Sequence, residues 1–273
     1  MPALIANDPA GAVALCLLVL AWQVRPSYRL ILAANRDEFH ARPAAPLGRW
    51  ADQEILAGRD LAAGGTWLGL DRQRRFAVVT NFREWPASQS AGPSRGSLIP
   101  NYLRGQESPQ SFLAGLKTTA SDFAGFNLLL ADEHELWYAS NRAPEFARAL
   151  APGVYGLSNQ HLDTPWPKLT RVRRRFEALL NGAGEVSARE LLVMLDDRTP
   201  SVTSDDAYPA DLAPEWRRAL SAPFVLHPLY GTRCSTAVLL GTSGALQLVE
   251  RRFDPAGECS GETAFELDSG EWP

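Results

Sequence analysis

Two apolar runs decide how this chain folds: CLLVLAWQV, residues 16–24, and YRLILAAN, residues 28–35. They flank Arg25-Pro26-Ser27, and runs of this length on either side of a turn signal read as a β-hairpin. Stretches such as CLLVLA are apolar at every position, as strands must be when both of their faces are covered. Further strand signals come in groups. Trp67–Asp71 pairs with Phe76–Thr80, and Phe126–Ala131 pairs with Leu136–Ser140 across the polar link Asp132–Glu135. Val154–Ser158 is a short strand, and Ala237–Gly241, Leu246–Phe253 and Thr263–Leu267 close the chain as a meander.

Helices are predicted between these groups. Ser97–Arg104 and Pro109–Thr119 follow the second strand pair. Trp166–Leu180 carries Leu169, Val172, Phe176, Leu179 and Leu180 at helical spacing. Ser187-Ala-Arg-Glu190 is a capping box that opens a helix running to Leu195. Asp196–Pro214 is polar and Pro-rich, and reads as a long surface loop. No repeat appears and no linker divides two cores. The reading is therefore an N-terminal extension, residues 1–15, and one domain over 16–273: an α+β layered sandwich of antiparallel sheets with helices outside.

Composition removes several classes of function. The chain has 273 residues, 45% hydrophobic and 21% charged, which excludes a disordered polymer. A net charge of −4 is not the footprint of a nucleic-acid binder, and the cluster Arg171, Arg173, Arg174 and Arg175 reads as a solvated helix face. Cys16, Cys234 and Cys259 are too scattered for a disulfide framework, which suits a reducing, cytoplasmic location. His40, His134, His161 and His227 lack metal-ligand spacing, so no metal is expected. With no phosphate-binding glycine loop, no nucleotide cofactor is expected either. Ala10–Trp22 is apolar, but a membrane span needs about 20 such residues. Nor does a basic region precede that run, as a secretory signal requires.

What remains is polar residues gathered at strand ends and turns: Asn35-Arg36-Asp37-Glu38, Gly64-Gly65-Thr66-Trp67-Leu68-Gly69, Thr80-Asn81, Ser94-Arg95-Gly96, Leu157-Ser158-Asn159 and Gly231-Thr232-Arg233. Charge is normally kept out of strands this apolar, so a strand ending in Asn-Arg-Asp is unusual. Gly64, Gly65 and Gly69 suit a tight turn and close sheet packing, and Trp67 suits the core.

CLLVLAW followed by LILAANRDEFHARP resembles the opening of the NRDE family, the transport and Golgi organisation protein 2 family. The resemblance continues through ILAGRD, GGTWLG, AVVTNFR, SRG-x-L, GLSN and YGTRCST, and so spans Cys16 to Phe253. It implies an N-terminal-nucleophile (Ntn) hydrolase-like fold, a four-layer αββα sandwich. It also implies a nucleophile at Cys16, whose thiol proton a free α-amino group of pKa about 7.7–8.0 could accept. The alternative for Cys16 is a buried small hydrophobe. Arg36 and Asp37, next to the Cys16 end in the hairpin, would hold the thiolate and orient the amine, or else form an ion pair that closes the hairpin. Asn81 and Asn159 are similar to oxyanion donors of cysteine Ntn amidases, or are turn residues in left-handed geometry. Arg233 resembles the arginine those amidases place near the nucleophile.

In the family the cysteine follows the initiator Met, whereas here Leu15 precedes Cys16. A start at a Leu codon or cleavage of a short propeptide would free Cys16, while a retained extension would leave an amide unable to act as base. Residues 1–15 carry no pattern that specifies structure, so they are expected to pack poorly near the pocket mouth. Two functions follow from the resemblance. One is hydrolysis of a small-molecule amide or thioester by Cys16. The other is a non-catalytic carrier or chaperone for a hydrophobic ligand, haem or acyl lipid, on the same scaffold. Neither calls for nucleic acid or a membrane span.

Overall fold

The apolar hairpin forms the spine of the molecule: β1 (Leu17–Arg25) runs antiparallel to β2 (Tyr28–Phe39), with Leu17 opposite Asn35 and Leu20 opposite Leu32. The structure is a computed structural model that describes residues 16–51, 53–84, 92–201, 208 and 212–273. The extension at 1–15 and part of the 196–214 loop lie outside the described residues.

The chain continues through β3 (Ala44–Arg49), β4 (Ile55–Asp60), β5 (Leu68–Asp71) and β6 (Phe76–Asn81), then α1 (Leu98–Arg104) and α2 (Pro109–Leu116). Next come β7 (Phe126–Ala131), β8 (Leu136–Ser140), β9 (Ala147–Leu150) and β10 (Gly153–Leu157), followed by α3 (Pro167–Asn181), α4 (Ala188–Leu195) and α5 (Pro214–Leu220). The strands β11 (Tyr230–Gly241), β12 (Leu246–Phe253) and β13 (Cys259–Leu267) close the chain. The first sheet has the order β10-β1-β2-β11-β12-β13, and the second is a meander, β3-β4-β5-β6-β7-β8-β9. All pairings of named strands are antiparallel.

Strand periodicity sorts the apolar residues into layers. Leu18, Leu20, Leu30 and Leu32 meet Leu56, Leu70, Val78 and Leu129 between the sheets. The opposite face of the first sheet, with Leu17, Val19, Ile31 and Ala33, is covered by Val172 and Phe176 of α3 and Leu191 of α4. The outer face of the second sheet, with Ala77, Val79 and Leu128, lies under α1 and α2. Helix, sheet, sheet and helix layers result, as the resemblance implied.

The strand groups sit where the sequence places them, with three additions. β3, β4 and β9 were not marked: β3 and β9 are short and partly exposed, and Pro46 and Gly48 interrupt β3. β11 begins at Tyr230 rather than Ala237, because its first residues, Tyr-Gly-Thr-Arg, look like a loop although Tyr230, Gly231 and Thr232 pair with β2. α5 follows the Pro-rich loop and buries Trp216 against Tyr230. Leu32 is fully buried in the inter-sheet layer, so Leu32→Ala is expected to cost about 2–5 kcal/mol. Urea denaturation checks this, and a loss below about 1 kcal/mol would mean that the layer is not close-packed.

Candidate functional site

β1 is paired on both sides, and its register places Cys16. Leu17 lies opposite Asn35 on β2, and Leu18 lies opposite Leu157 on β10. One step toward the N-terminus from Leu17, and two from Leu18, Cys16 comes level with Arg36 on one flank and Asn159 on the other. Strand alternation then splits the charges of β2 between two faces. Leu32 and Ala34 face the second sheet, and Arg36 continues that row. Ile31 and Ala33 face the helices, and Asn35 and Asp37 continue that one.

On the inter-sheet face, the Arg36 guanidinium lies 4.3 Å from the centre of the Trp67 ring and 3.7 Å from Glu38. Trp67 can lie there because position 58 is glycine: a Cβ on Gly58 would come within 2.3 Å of its ring. Cys16, Leu17, Arg36, Trp67, Leu68 and Val79 help to line a narrow, mainly apolar cleft of about 20 Å³. Gly65 meets the Gly96 backbone so closely that a Cβ would approach it to 2.4 Å, which docks the Arg95 turn onto the end of β4.

On the helix face, Asn35 is occupied structurally. Its amide donates to the Leu195 and Pro223 carbonyls at 3.1 and 3.0 Å, and its oxygen accepts from Ser235. Asp37, 1% exposed, accepts from the Thr232 hydroxyl at 2.7 Å through Oδ1, while Oδ2 has no hydrogen-bond partner. Lys168, in the first turn of α3, is 3% exposed, and its Nζ has no hydrogen-bond partner either.

Burial dominates the electrostatics. It pushes the Cys16 thiol up to about 12; Asp37 adds to the rise, and the Asp37 backbone N–H and Arg36 oppose it. Asp37 is pushed up to about 7 by burial, against the pull of Lys168, the Thr232 bond and Arg36. Burial brings Lys168 down to about 8, with Asp37 opposing and Arg83 reinforcing. Arg95 is lowered by burial and lies within electrostatic reach of Glu38 and Cys16.

The six sequence candidates therefore separate. Cys16, Arg36 and Asp37 come together. Asn159 adopts left-handed backbone at φ 57° and donates from Nδ2 to the Asn81 carbonyl at 2.8 Å, which ties the ends of β10 and β6 beside them. Arg233 donates to the Phe39, His40 and Arg42 carbonyls at 2.8, 3.2 and 3.2 Å, so it braces the turn after β2 while remaining within electrostatic reach of Arg36. Lys168, Arg83 and Arg95 were missed as site residues. The last two sit inside the TNFR and SRG motifs. Lys168 had a signal of its own: it heads the stripe Lys168, Val172, Phe176, Leu180, four residues apart and buried throughout. Among the described residues, no three His, Cys, Asp or Glu side chains gather as a metal site, and no helix is long and apolar enough to cross a membrane.

A profile of the family described as Transport and Golgi organisation 2 matches residues 15–255. The chain belongs to that family. It is 33% identical over 259 residues to the Bos taurus Transport and Golgi organization protein 2 homolog, covering 87% of this chain and 92% of that protein. It is 32% identical over 256 residues to the Homo sapiens homolog, with the same shares covered. The Drosophila melanogaster Transport and Golgi organization protein 2 is 27% identical over 265 residues, with 88% and 93% covered. Among solved structures, the Caenorhabditis elegans N-acylethanolamine-hydrolyzing acid amidase ortholog superposes with a TM-score of 0.50 at 11% identity, covering 82% of this chain and 92% of that one. At that identity the likeness concerns fold alone, and the fold is Ntn-hydrolase-like.

The buried pair gives stability a definite pH dependence. Asp37 is protonated more readily in the folded state, so its contribution is present at pH 4 and is lost as pH rises toward 7. Lys168 is neutral more readily when folded, so its contribution appears only as pH climbs from about 8 toward 10.5. Asp37→Asn is therefore expected to flatten the fall in stability between pH 4 and 7, read by urea midpoints across that range. An unchanged slope would mean that another group carries it.

Proposed function

We propose that the protein is a cysteine hydrolase of the N-terminal-nucleophile type, acting on an amide or thioester bond. The observation that carries this reading is the placement of Cys16 at the head of β1, level with Arg36 and Asn159 and opening on an apolar cleft. The apolar lining of this cleft, Leu17, Leu68 and Val79, suits the acyl part of such a substrate.

The thiol pushed up to about 12 constrains the mechanism. With a peptide bond on the Cys16 nitrogen, the sulfur stays protonated at neutral pH. A chain that starts at Cys16 has an α-amino group to take that proton, and general-base help of this kind is worth about 10²–10⁴-fold. The thiolate attacks the carbonyl, the amine returns its proton to the leaving nitrogen or sulfur, and water releases the acyl group from Cys16. Arg36 lies on the thiolate side of this equilibrium and Asp37 on the ammonium side. Asn159, fixed to the Asn81 carbonyl, is the candidate donor to the oxyanion. In a chain that keeps residues before Cys16, the protonated thiol favours the second reading, a carrier for a hydrophobic ligand.

The test compares the 273-residue protein with a version that begins at Cys16. Iodoacetamide labelling of Cys16 at neutral pH and turnover of a panel of acyl amides and thioesters are measured for both. The shorter chain is expected to label and turn over at least about a hundredfold faster, and Cys16→Ala to abolish turnover. Equal labelling rates, or turnover that survives Cys16→Ala, would overturn the assignment. Ligand binding without turnover in either chain would establish the carrier.

A further inference from the structure

The helix face below Cys16 contains buried polar atoms without hydrogen-bond partners. Lys168 Nζ, Ser158 Oγ, Trp166 Nε1 and Arg83 NH1 are all buried and donate to nothing, and Asp37 Oδ2 accepts from nothing. Their positions follow from the fold. Lys168 heads the α3 stripe that packs on the face carrying Asp37. Ser158 shares a face with Gly156, against which Leu169 is packed. The Arg83 guanidinium lies 4.4 Å from the Trp166 ring centre and 5.0 Å from that of Tyr208. No side chain caps the start of α3.

A buried ammonium beside a buried guanidinium is costly unless an anion joins them. Asp37 does not fill that role: it is within electrostatic reach of Lys168, but no ion pair or hydrogen bond joins the two. The remaining donor set comprises an ammonium, a guanidinium nitrogen, a hydroxyl and an indole N–H, at a helix N-terminus whose dipole also favours negative charge. A planar acceptor with two oxygens satisfies such a set, since guanidinium and ammonium groups make their strongest hydrogen bonds to carboxylates.

We propose that Lys168, with Arg83 and Ser158, forms a subsite for the carboxylate of the substrate. This rests on the hydrolase reading and specifies it. Cys16 stands between an apolar cleft on the inter-sheet face and these charged groups on the helix face. A substrate that uses both has a short acyl chain on one side of the scissile amide and a carboxylate on the other, as in an N-acyl amino acid. Lys168 and Arg83 recognise and orient it, and Asp37, the carboxyl group within electrostatic reach of Lys168, weakens the binding of that anion.

The experiment separates binding from turnover by using the 273-residue protein with Cys16→Ala. Titration calorimetry compares N-octanoylglycine with the neutral N-octanoylglycinamide. The carboxylate is expected to bind at least about tenfold more tightly, with the preference falling to near unity in Lys168→Met. Asp37→Asn, which removes the opposing charge and leaves Lys168 in place, is expected to tighten carboxylate binding several-fold. It decides the matter if Lys168→Met does not fold. Equal affinity for the two ligands, binding of neither, or a preference that survives Lys168→Met overturns the subsite, whatever turnover the wild type shows toward neutral amides. A carboxylate preference without any turnover of acyl glycines by a chain beginning at Cys16 keeps the subsite and overturns the hydrolase.

Discussion

The first sheet is covered on both faces, and that constraint governs where this protein can keep charge. Leu17, Val19, Ile31 and Ala33 are sealed by α3 and α4, while Leu18, Leu20, Leu30 and Leu32 are sealed by the second sheet. A charged side chain in the middle of such a strand would lose its water on either side, at a cost of several kcal/mol. In β1 and β2 the charged residues accordingly lie toward the strand ends. At the end where β1 begins, they still lie under the helix layer and against the second sheet. Arg36, Asp37, Asn159 and Lys168 are all buried, although each sits at the margin of an element. The same packing that stabilises the sheets thus raises Cys16 and Asp37 and lowers Lys168.

How much of this was legible follows from the same constraint. The central strands announce themselves by their apolar runs: β1, β7 and β12 match, to within a residue, the limits that the sequence predicts, whereas β2 continues four residues past Asn35, because its charged end, Arg36–Phe39, does not look like a strand. β3 and β9 border the second sheet and are half-exposed, so they carry no apolar run to detect. The first part of β11 was lost for a different reason. Gly231 and Thr232 pair with the charged end of β2, Arg233 is bulged out between Thr232 and Cys234, and a strand that must supply the Thr232 hydroxyl to Asp37 cannot also be apolar. Cys16, Arg36 and Asp37 were legible because adjacent strands of a hairpin bring their ends together. Lys168 was not, because a lysine in the first turn of a helix is usually solvated. Its burial depends on which face α3 turns toward the sheet, and the four-residue spacing to Val172, Phe176 and Leu180 identifies that face.

Asn159 and Arg233 show why a residue's type and its place at a strand end do not fix its role. Asn159 stands level with Cys16, but its conformation and its bond to the Asn81 carbonyl serve first to join β10 to β6 across the two sheets. Arg233 is held by three carbonyls of the turn that leaves β2, which fixes where Glu38 and Arg42 stand. Both act on the site through the backbone they hold, a role that a linear reading of the sequence does not separate from direct contact with a ligand.

The balance of charge near Cys16 determines what can activate it. Arg36, Arg95 and Lys168 are all within electrostatic reach of the sulfur, and a thiolate next to three cations would ordinarily be favoured. Here the thiol remains high because burial outweighs those charges, and Asp37 opposes them from the neighbouring strand. Adding another cation would therefore do less than bringing a base to the sulfur. Nor can Asp37 serve as that base directly: it lies on the helix face, while the cleft that would hold an acyl group lies between the sheets. A nitrogen at the head of β1 stands at the boundary between the two faces. For that reason the state of the Cys16 backbone nitrogen, amide or free amine, has more influence on the chemistry of this site than any single side chain around it.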